Sequence, residues 1–358
     1  YGICPLNNVE SLKSSKMCVP KGLTKLYSYT CNLSDGRPIT CMCWHKANDD
    51  ILVVSYGSVD TNGSVAGEGG MVLFWSPRNL LYPEKIIRTK SIVTSMAFSN
   101  HRPACLAVGM HNGVICLFDT SLHGDDLGNP LLDSEMLPER HMSQVRDLKW
   151  VDKGDKGEQL ISVALDGRIL EWSTKKGFEA NQLMKLRPVT EHNKCVLKQH
   201  LGGTCFEFGE DETSYLVGTD NGNIHRCSYS YGEQYIHTYS GHKRPVNSIK
   251  YSPFLPDIFL SCSIDWNMKL WKSDRSEPVL TFKALDLTDS VNDIAWSPHD
   301  STVFASVCGD GRIELWDLSV STLDPQFTLA TSTTEGTKKA SALTSVVYAK
   351  NAPIMVVG

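Results

Sequence analysis

The feature that most constrains this chain is a repeat. Alternating segments that end in an aromatic residue recur as ITCMCW (39–44), VTSMAFS (93–99), VRDLKWV (145–151), TCFEFG (204–209), VNSIKYS (246–252), VNDIAWS (291–297) and LTSVVYA (343–349). After each comes a more continuously apolar run: DILVVSYG, CLAVGM, QLISVAL, SYLVGT, IFLSCS, VFASVCG and IMVVG. Such runs read as strands buried on both faces. A turn follows in matching register, marked by Asn112-Gly113, Asp166-Gly167, Asn221-Gly222 and Asp310-Gly311. These pairs supply the positive φ that tight hairpins need. Five positions after each Gly stands an aromatic residue or its substitute: Phe118, Trp172, Cys227 and Trp316. A more polar fourth segment closes the unit, as in QYIHTYS (234–240) and PVLTFKA (278–284).

Four antiparallel strands repeated around a ring predict an all-β propeller. We expect seven blades: blade 1 at 39–90, blade 2 at 93–138, blade 3 at 145–186, blade 4 at 204–240, blade 5 at 246–284, blade 6 at 291–332, and a partial blade 7 at 343–358. Residues 1–22 form a lead-in to a propeller spanning 23–358. KLYSYT (25–30) is expected to supply the outer strand of blade 7, whose third strand is missing. The chain opens YGICPLNNVE without an initiating Met, as expected for a piece of a longer protein.

The repeats resemble WD40 units, through GHKRPVNSIKYSP, IFLSCSIDWNMKLW and DGRIELWDL. In that family a structural network links a Gly-His histidine, a strand Ser or Thr, the turn Asp and the strand Trp. Carried over residue by residue, the resemblance assigns His242, Ser261 or Ser263, Asp265 and Trp271 to this network in blade 5. The other blades keep only parts of it, such as Asp166 with Trp172 and Asp310 with Trp316.

A net charge of −5 gives no general attraction to nucleic acid or anionic lipid, so neither is expected as a partner. No apolar run reaches the roughly 18 residues that would span a bilayer. The 12 cysteines mostly sit in strand-like apolar runs and read as small core residues. Cys41, Cys43 and His45 share one strand face, which is poor geometry for a tetrahedral zinc site, so core packing is favoured. His192, Cys195 and His200 form an irregular set in the insertion 184–200 and read as loop residues. GEGG (67–70) lacks the Lys-Ser/Thr of a phosphate loop, and SVDTNGSVAGEGG (58–70) reads as a solvated loop, with a partner-ordered loop as the alternative. No nucleophile elbow or papain-like motif is present. The chain is therefore expected to be no enzyme, with no catalytic residue, cofactor or metal.

One turn departs from the pattern. Where other blades carry Gly, blade 5 carries Trp266. A large aromatic at a hairpin tip is a candidate interface anchor, unless it folds onto a neighbouring loop. Lys243 and Arg244 lead into the same blade on the same expected face, which suggests a mixed aromatic and basic patch.

Across nearly its whole length the chain is similar to dynein intermediate chains, especially the axonemal ones. The matching segments are DILVVSYGS, GMVLFWSPRNLLYPEKI, LAVGMHNGVICLFD, SVALDGRILEW, YLVGTDNGNIHRCSYSYGEQYIHTYSGHKRPV and PDIFLSCSIDWNMKLW. Asn79-Leu80 departs from the Asn-Pro often found there. KKGFEANQLMKLR and GRIELWDLSVSTLDP look most like the intermediate chain of the two-headed inner arm, with an outer-arm chain as near competitor. The resemblance implies a noncatalytic scaffold of an axonemal dynein, located on the cytoskeleton of a cilium or flagellum. Its implied partners are a heavy-chain tail, another intermediate chain and light chains, with indirect association to doublet microtubules. The alternative is a propeller hub of another class, such as a ubiquitin-ligase substrate receptor or a peptide-reading chromatin factor.

Overall fold

A computed structural model describes residues 22–57, 69–122, 124–154, 157–175, 177–188, 201–210, 213–283, 289–331 and 341–358. Almost all of insertion 58–70 and the set His192, Cys195 and His200 lie outside these residues.

Each repeat folds as an antiparallel sheet in chain order. Blade 1 comprises Ile39–Trp44, Leu52–Tyr56, Met71–Trp75 and Lys85–Arg88. Blade 2 runs Val93–Phe98, Cys105–Met110, Ile115–Asp119 and Leu132–Asp133, with a short 3-10 turn at Gly124–Gly128 before its last strand. Blade 3 runs Val145–Asp152, Glu158–Ala164, Arg168–Ser173 and Glu179–Lys185, and blade 4 Gly203–Phe208, Ser214–Thr219, Asn223–Ser228 and Tyr235–Ser240. Blade 5 is Val246–Tyr251, Ile258–Ser263, Met268–Lys272 and Leu280–Phe282, and blade 6 Val291–Trp296, Val303–Cys308, Arg312–Asp317 and Phe327–Ala330. Second strands are the most buried, with every residue of Leu52–Tyr56, Cys105–Met110 and Ser214–Thr219 buried. That follows from their place inside a sheet sandwiched between neighbouring blades.

The expectation of seven blades is corrected. The structure holds six four-stranded blades and a separate two-stranded sheet, Val346–Tyr348 with Met355–Val357. Residues 25–30 form no strand. Instead Thr30 N–H donates to Leu80 O at 3.2 Å, and the Tyr29 ring lies 5.2 Å from Trp75 of blade 1. Alternation in KLYSYT therefore reflects packing of Tyr29 beside the blade 1 core, not sheet pairing.

The small sheet sits between blades 6 and 1. Leu343 and Val346 pack with Ala305, Val307 and Ile313 of blade 6, while Val347 and Val356 pack against the core of blade 1. Hydrogen bonds tie successive inner strands together. Asn247 Nδ2 donates to Val291 O at 2.9 Å, Asn292 Nδ2 to Leu343 O at 2.6 Å, and Thr344 Oγ1 to Ile39 O at 2.8 Å. Trp150 Nε1 reaches Ala97 O, and Trp296 Nε1 reaches Lys250 O. The last link, Thr344 to Ile39, joins chain positions 305 residues apart. It brings the end of the repeat array onto its beginning.

Interblade fit also fixes composition. A Cβ on Gly218 would stand 2.6 Å from Cys205 Sγ and 3.1 Å from Val246 of the next blade. Only a residue without a side chain lets these blades approach so closely. Burial pushes the Cys205 thiol up to about 12, so it stays protonated as a core group.

Candidate functional site

The turns between second and third strands share one construction. Gly113, Gly167, Gly222 and Gly311 all have φ between 74° and 89°. The preceding Asn or Asp accepts the backbone N–H two residues on, as Asn112 does from Val114, Asp166 from Arg168, Asn221 from Asn223 and Asp310 from Arg312. Such Asx turns set the hairpin by purely local chemistry. Blade 5 keeps this geometry, with Asp265 Oδ1 accepting Asn267 N–H at 3.1 Å, yet it places Trp266 at φ 68°. Trp266 is the one non-glycine residue with positive φ among those described. A bulky residue there costs on the order of 1–3 kcal/mol.

Behind that turn the side chains meet as a network. His242 Nδ1 lies 3.0 Å from Asp265 Oδ2, and Nε2 lies 2.7 Å from Ser261 Oγ. Trp271 Nε1–H donates to the same Ser261 oxygen at 2.8 Å. Of the two serines left open by sequence, Ser261 joins the network, whereas Ser263 donates to Arg244 O and accepts Asp265 N–H. Burial alone would raise the Asp265 carboxyl, but the hydrogen bond and charge of His242, with N–H groups of Lys243 and Asn267, hold it down at about 2.

Blade 3 carries the same four-membered network in full, where sequence suggested only a part. His141 bridges Asp166 at 3.2 Å and Ser162 at 2.7 Å, and Trp172 Nε1 donates to Ser162 at 2.8 Å. His141 stands in RHMSQV without the preceding Gly that marks blade 5, which is why it escaped notice. A histidine 19 to 21 residues ahead of a strand Ser-x-x-x-Asp could have found it.

Blade 6 does not join Asp310 to Trp316. Asp310 pairs with Arg312 Nε, while Trp316 Nε1 donates to Glu314 Oε2 at 3.3 Å. Glu314 is buried, its Oε1 has no hydrogen-bond partner, and burial raises its pKa above the usual carboxylate value despite pulls from Trp316, Arg312 and Ser306. A folded-state pKa above the unfolded one favours the fold below the unfolded pKa, and that contribution is lost as pH rises through the folded pKa. We expect Glu314→Gln to stabilise the fold by about 1 kcal/mol at pH 7 and to give no gain near pH 4. Urea unfolding at both pH values checks this, and an equal gain at each would contradict it.

Elsewhere, Cys41 and Cys43 pack against the core shared with blade 2, and His45 Nδ1 accepts N–H groups of Ala47 and Asn48. Those contacts occupy the histidine locally.

Trp266 is 50% exposed and borders a groove of about 720 Å³. Lys243 lines it and Arg244 does not. Lys269, on the third strand, and Lys283, just after the fourth, do, and sequence reading passed over both because single lysines read as ordinary solvated positions.

Six blades, two of them pinned by His–Ser–Asp–Trp networks, define a noncanonical-length WD-repeat propeller. Residues 161–346 match the family profile of the dynein axonemal intermediate chain 3 WD40 domain. The chain is 40% identical to dynein axonemal intermediate chain 4 of Xenopus laevis, over 95% of this chain and 46% of that protein. It is 32% identical to ciliary dynein intermediate chain 2 of Heliocidaris crassispina, over 94% of this chain and 47% of the relative. It is 31% identical to the 78 kDa intermediate chain of the Chlamydomonas reinhardtii flagellar outer arm, over 94% and 49%. The chain belongs to the axonemal dynein intermediate chain family. It spans about half the length of these curated relatives.

Proposed function

We propose that the chain is the propeller of a noncatalytic subunit of an axonemal dynein, working in a cilium or flagellum. It binds a heavy-chain tail and helps assemble or regulate the motor, alongside another intermediate chain and light chains. Its link to doublet microtubules is indirect. The observation that carries this reading is similarity to axonemal intermediate chains along almost the whole chain. A stiff stack of blades suits it, because neighbouring sheets bury one another and leave short loops free for partners. Trp266, Lys243 and Arg244 are the proposed partner-binding residues.

Affinity purification of the full-length protein from ciliated cells tests the proposal. Dynein heavy and light chains should co-purify with it. Recovery of ubiquitin-ligase adaptors without any dynein chain would overturn the motor reading, and nucleotide turnover by the purified protein without a heavy chain would overturn its noncatalytic role.

A further inference from the structure

The groove at the tip of blade 5 combines an exposed aromatic plane with three amines. Lys243, Lys269 and Lys283 converge on it, with Gly241 and Thr281 completing the wall beside Trp266. None of the three ammonium groups forms an ion pair among the described residues. Asp265 borders the same groove, yet both its oxygens are engaged by His242 and by the N–H groups of Lys243 and Asn267. A single carboxylate so engaged offsets three ammonium groups only in part.

Lys269 is the most telling of the three. Its side chain is buried, with a single hydrogen bond among the described residues, to Thr281 Oγ1 at 3.2 Å. Burial lowers its pKa, Asp265 pulls the other way, and the charges of Lys283 and Lys243 push it lower still. Two donor positions of that ammonium remain for an acceptor that enters the groove. An anion arriving there relieves both the mutual repulsion and the missing hydrogen bonds.

Trp266 supplies the second half of the argument. Its indole makes no hydrogen bond and no ring contact among the described residues, and it is held in a backbone conformation that costs stability. Glycine occupies the matching position in four other turns. Neither a hydrogen bond nor a ring contact among the described residues offsets that strain, and strain kept at a half-exposed aromatic points to function.

We propose that this groove docks an acidic segment of a partner protein, with an apolar side chain on the Trp266 ring and flanking carboxylates on Lys243, Lys269 and Lys283. The inference rests on the reading of the propeller as an interaction subunit and adds the chemistry of what it binds. A short acidic peptide fits better than a nucleic acid because three amines line this groove while the chain as a whole carries a net charge of −5 and gives a polyanion no general attraction. The groove volume lies in the range that holds a few residues or a small ligand.

The test is selection of a displayed random 12-residue peptide library on the purified full-length protein. Enriched peptides should carry at least two acidic residues around an apolar one. Their affinity should fall about tenfold or more in Lys243→Glu with Lys283→Glu, and likewise in Trp266→Gly. Trp266→Gly should melt no lower than wild type, because Gly relieves the left-handed turn. Absence of enrichment, enriched peptides without acidic residues, or affinity unchanged by these substitutions would overturn the proposal. Displacement of the peptide by inorganic phosphate or duplex DNA at equal concentration would also overturn it, as a plain anion site. If peptides bind as expected while no dynein chain co-purifies from ciliated cells, the groove stands and the motor reading falls. If dynein co-purifies but peptides do not bind, the reverse holds.

Discussion

Replacing His242 by Ala lowers the unfolding free energy by about 3 kcal/mol, the upper end of the cost of leaving buried polar groups without a hydrogen-bond partner. The imidazole is fully enclosed and the Asp265 side chain is 7% exposed, so no water replaces the lost partner easily. Removal strips Asp265 of one contact and leaves Ser261 with Trp271 alone. The matching change in blade 3, His141→Ala, is expected to cost less. There Arg168 also grips the carboxylate, through Nε at 3.0 Å and a second guanidinium nitrogen at 2.8 Å, and continues to do so when the histidine is gone. Asp265 has no such second cation among the described residues.

The same pair predicts a pH signature. Asp265 titrates at about 2 in the fold against an ordinary value of 3.8, so its contribution is present above the unfolded pKa and is lost as pH falls from 3.8 through 2. His242→Ala should flatten that part of the acid limb. Urea titrations of wild type and both variants between pH 7 and pH 2.5 measure all of this. A cost below about 1 kcal/mol for His242→Ala, or a larger cost for His141→Ala, would show that the network is not what holds blade 5.

Much of the fold was legible because its signals are local. Alternation in VNSIKYS or VNDIAWS and Asx-Gly turns such as Asp166-Gly167 act within a few residues, and neither depends on what the rest of the chain does. The blade 5 network was legible for the same reason, since Gly241-His242 and Asp265 flank a complete strand pair. What failed was long-range. KLYSYT has the alternation of a strand, but pairing needs a free edge in reach, and Tyr29 instead lies against Trp75. Lys269 and Lys283 are unremarkable as single residues. They become a site only because adjacent strands and an incoming loop bring them to Trp266.

Val346→Asp should have a still larger effect, and it tests how the ring is held at its join. Val346 is 2% exposed, packed with Ala305, Val307, Ile313 and Leu343, and its N–H is accepted by Asp293 Oδ2 at 3.0 Å. A carboxylate there enters an apolar cluster beside the Asp293 carboxylate. We expect a loss of about 5 kcal/mol or more. Because the small sheet links blade 6 to blade 1, the damage should spread across the join. Hydrogen exchange should accelerate in Val346–Tyr348, then in the inner strands Val291–Trp296 and Ile39–Trp44, while Val145–Asp152 stays protected. Thr344→Val serves as the mild control, removing the bond to Ile39 O for about 1 kcal/mol and loosening Ile39–Trp44 alone. Unchanged exchange in Ile39–Trp44 for Val346→Asp would mean that blade 1 is held by its own core and by blade 2, and that the two-stranded sheet is not what closes the ring.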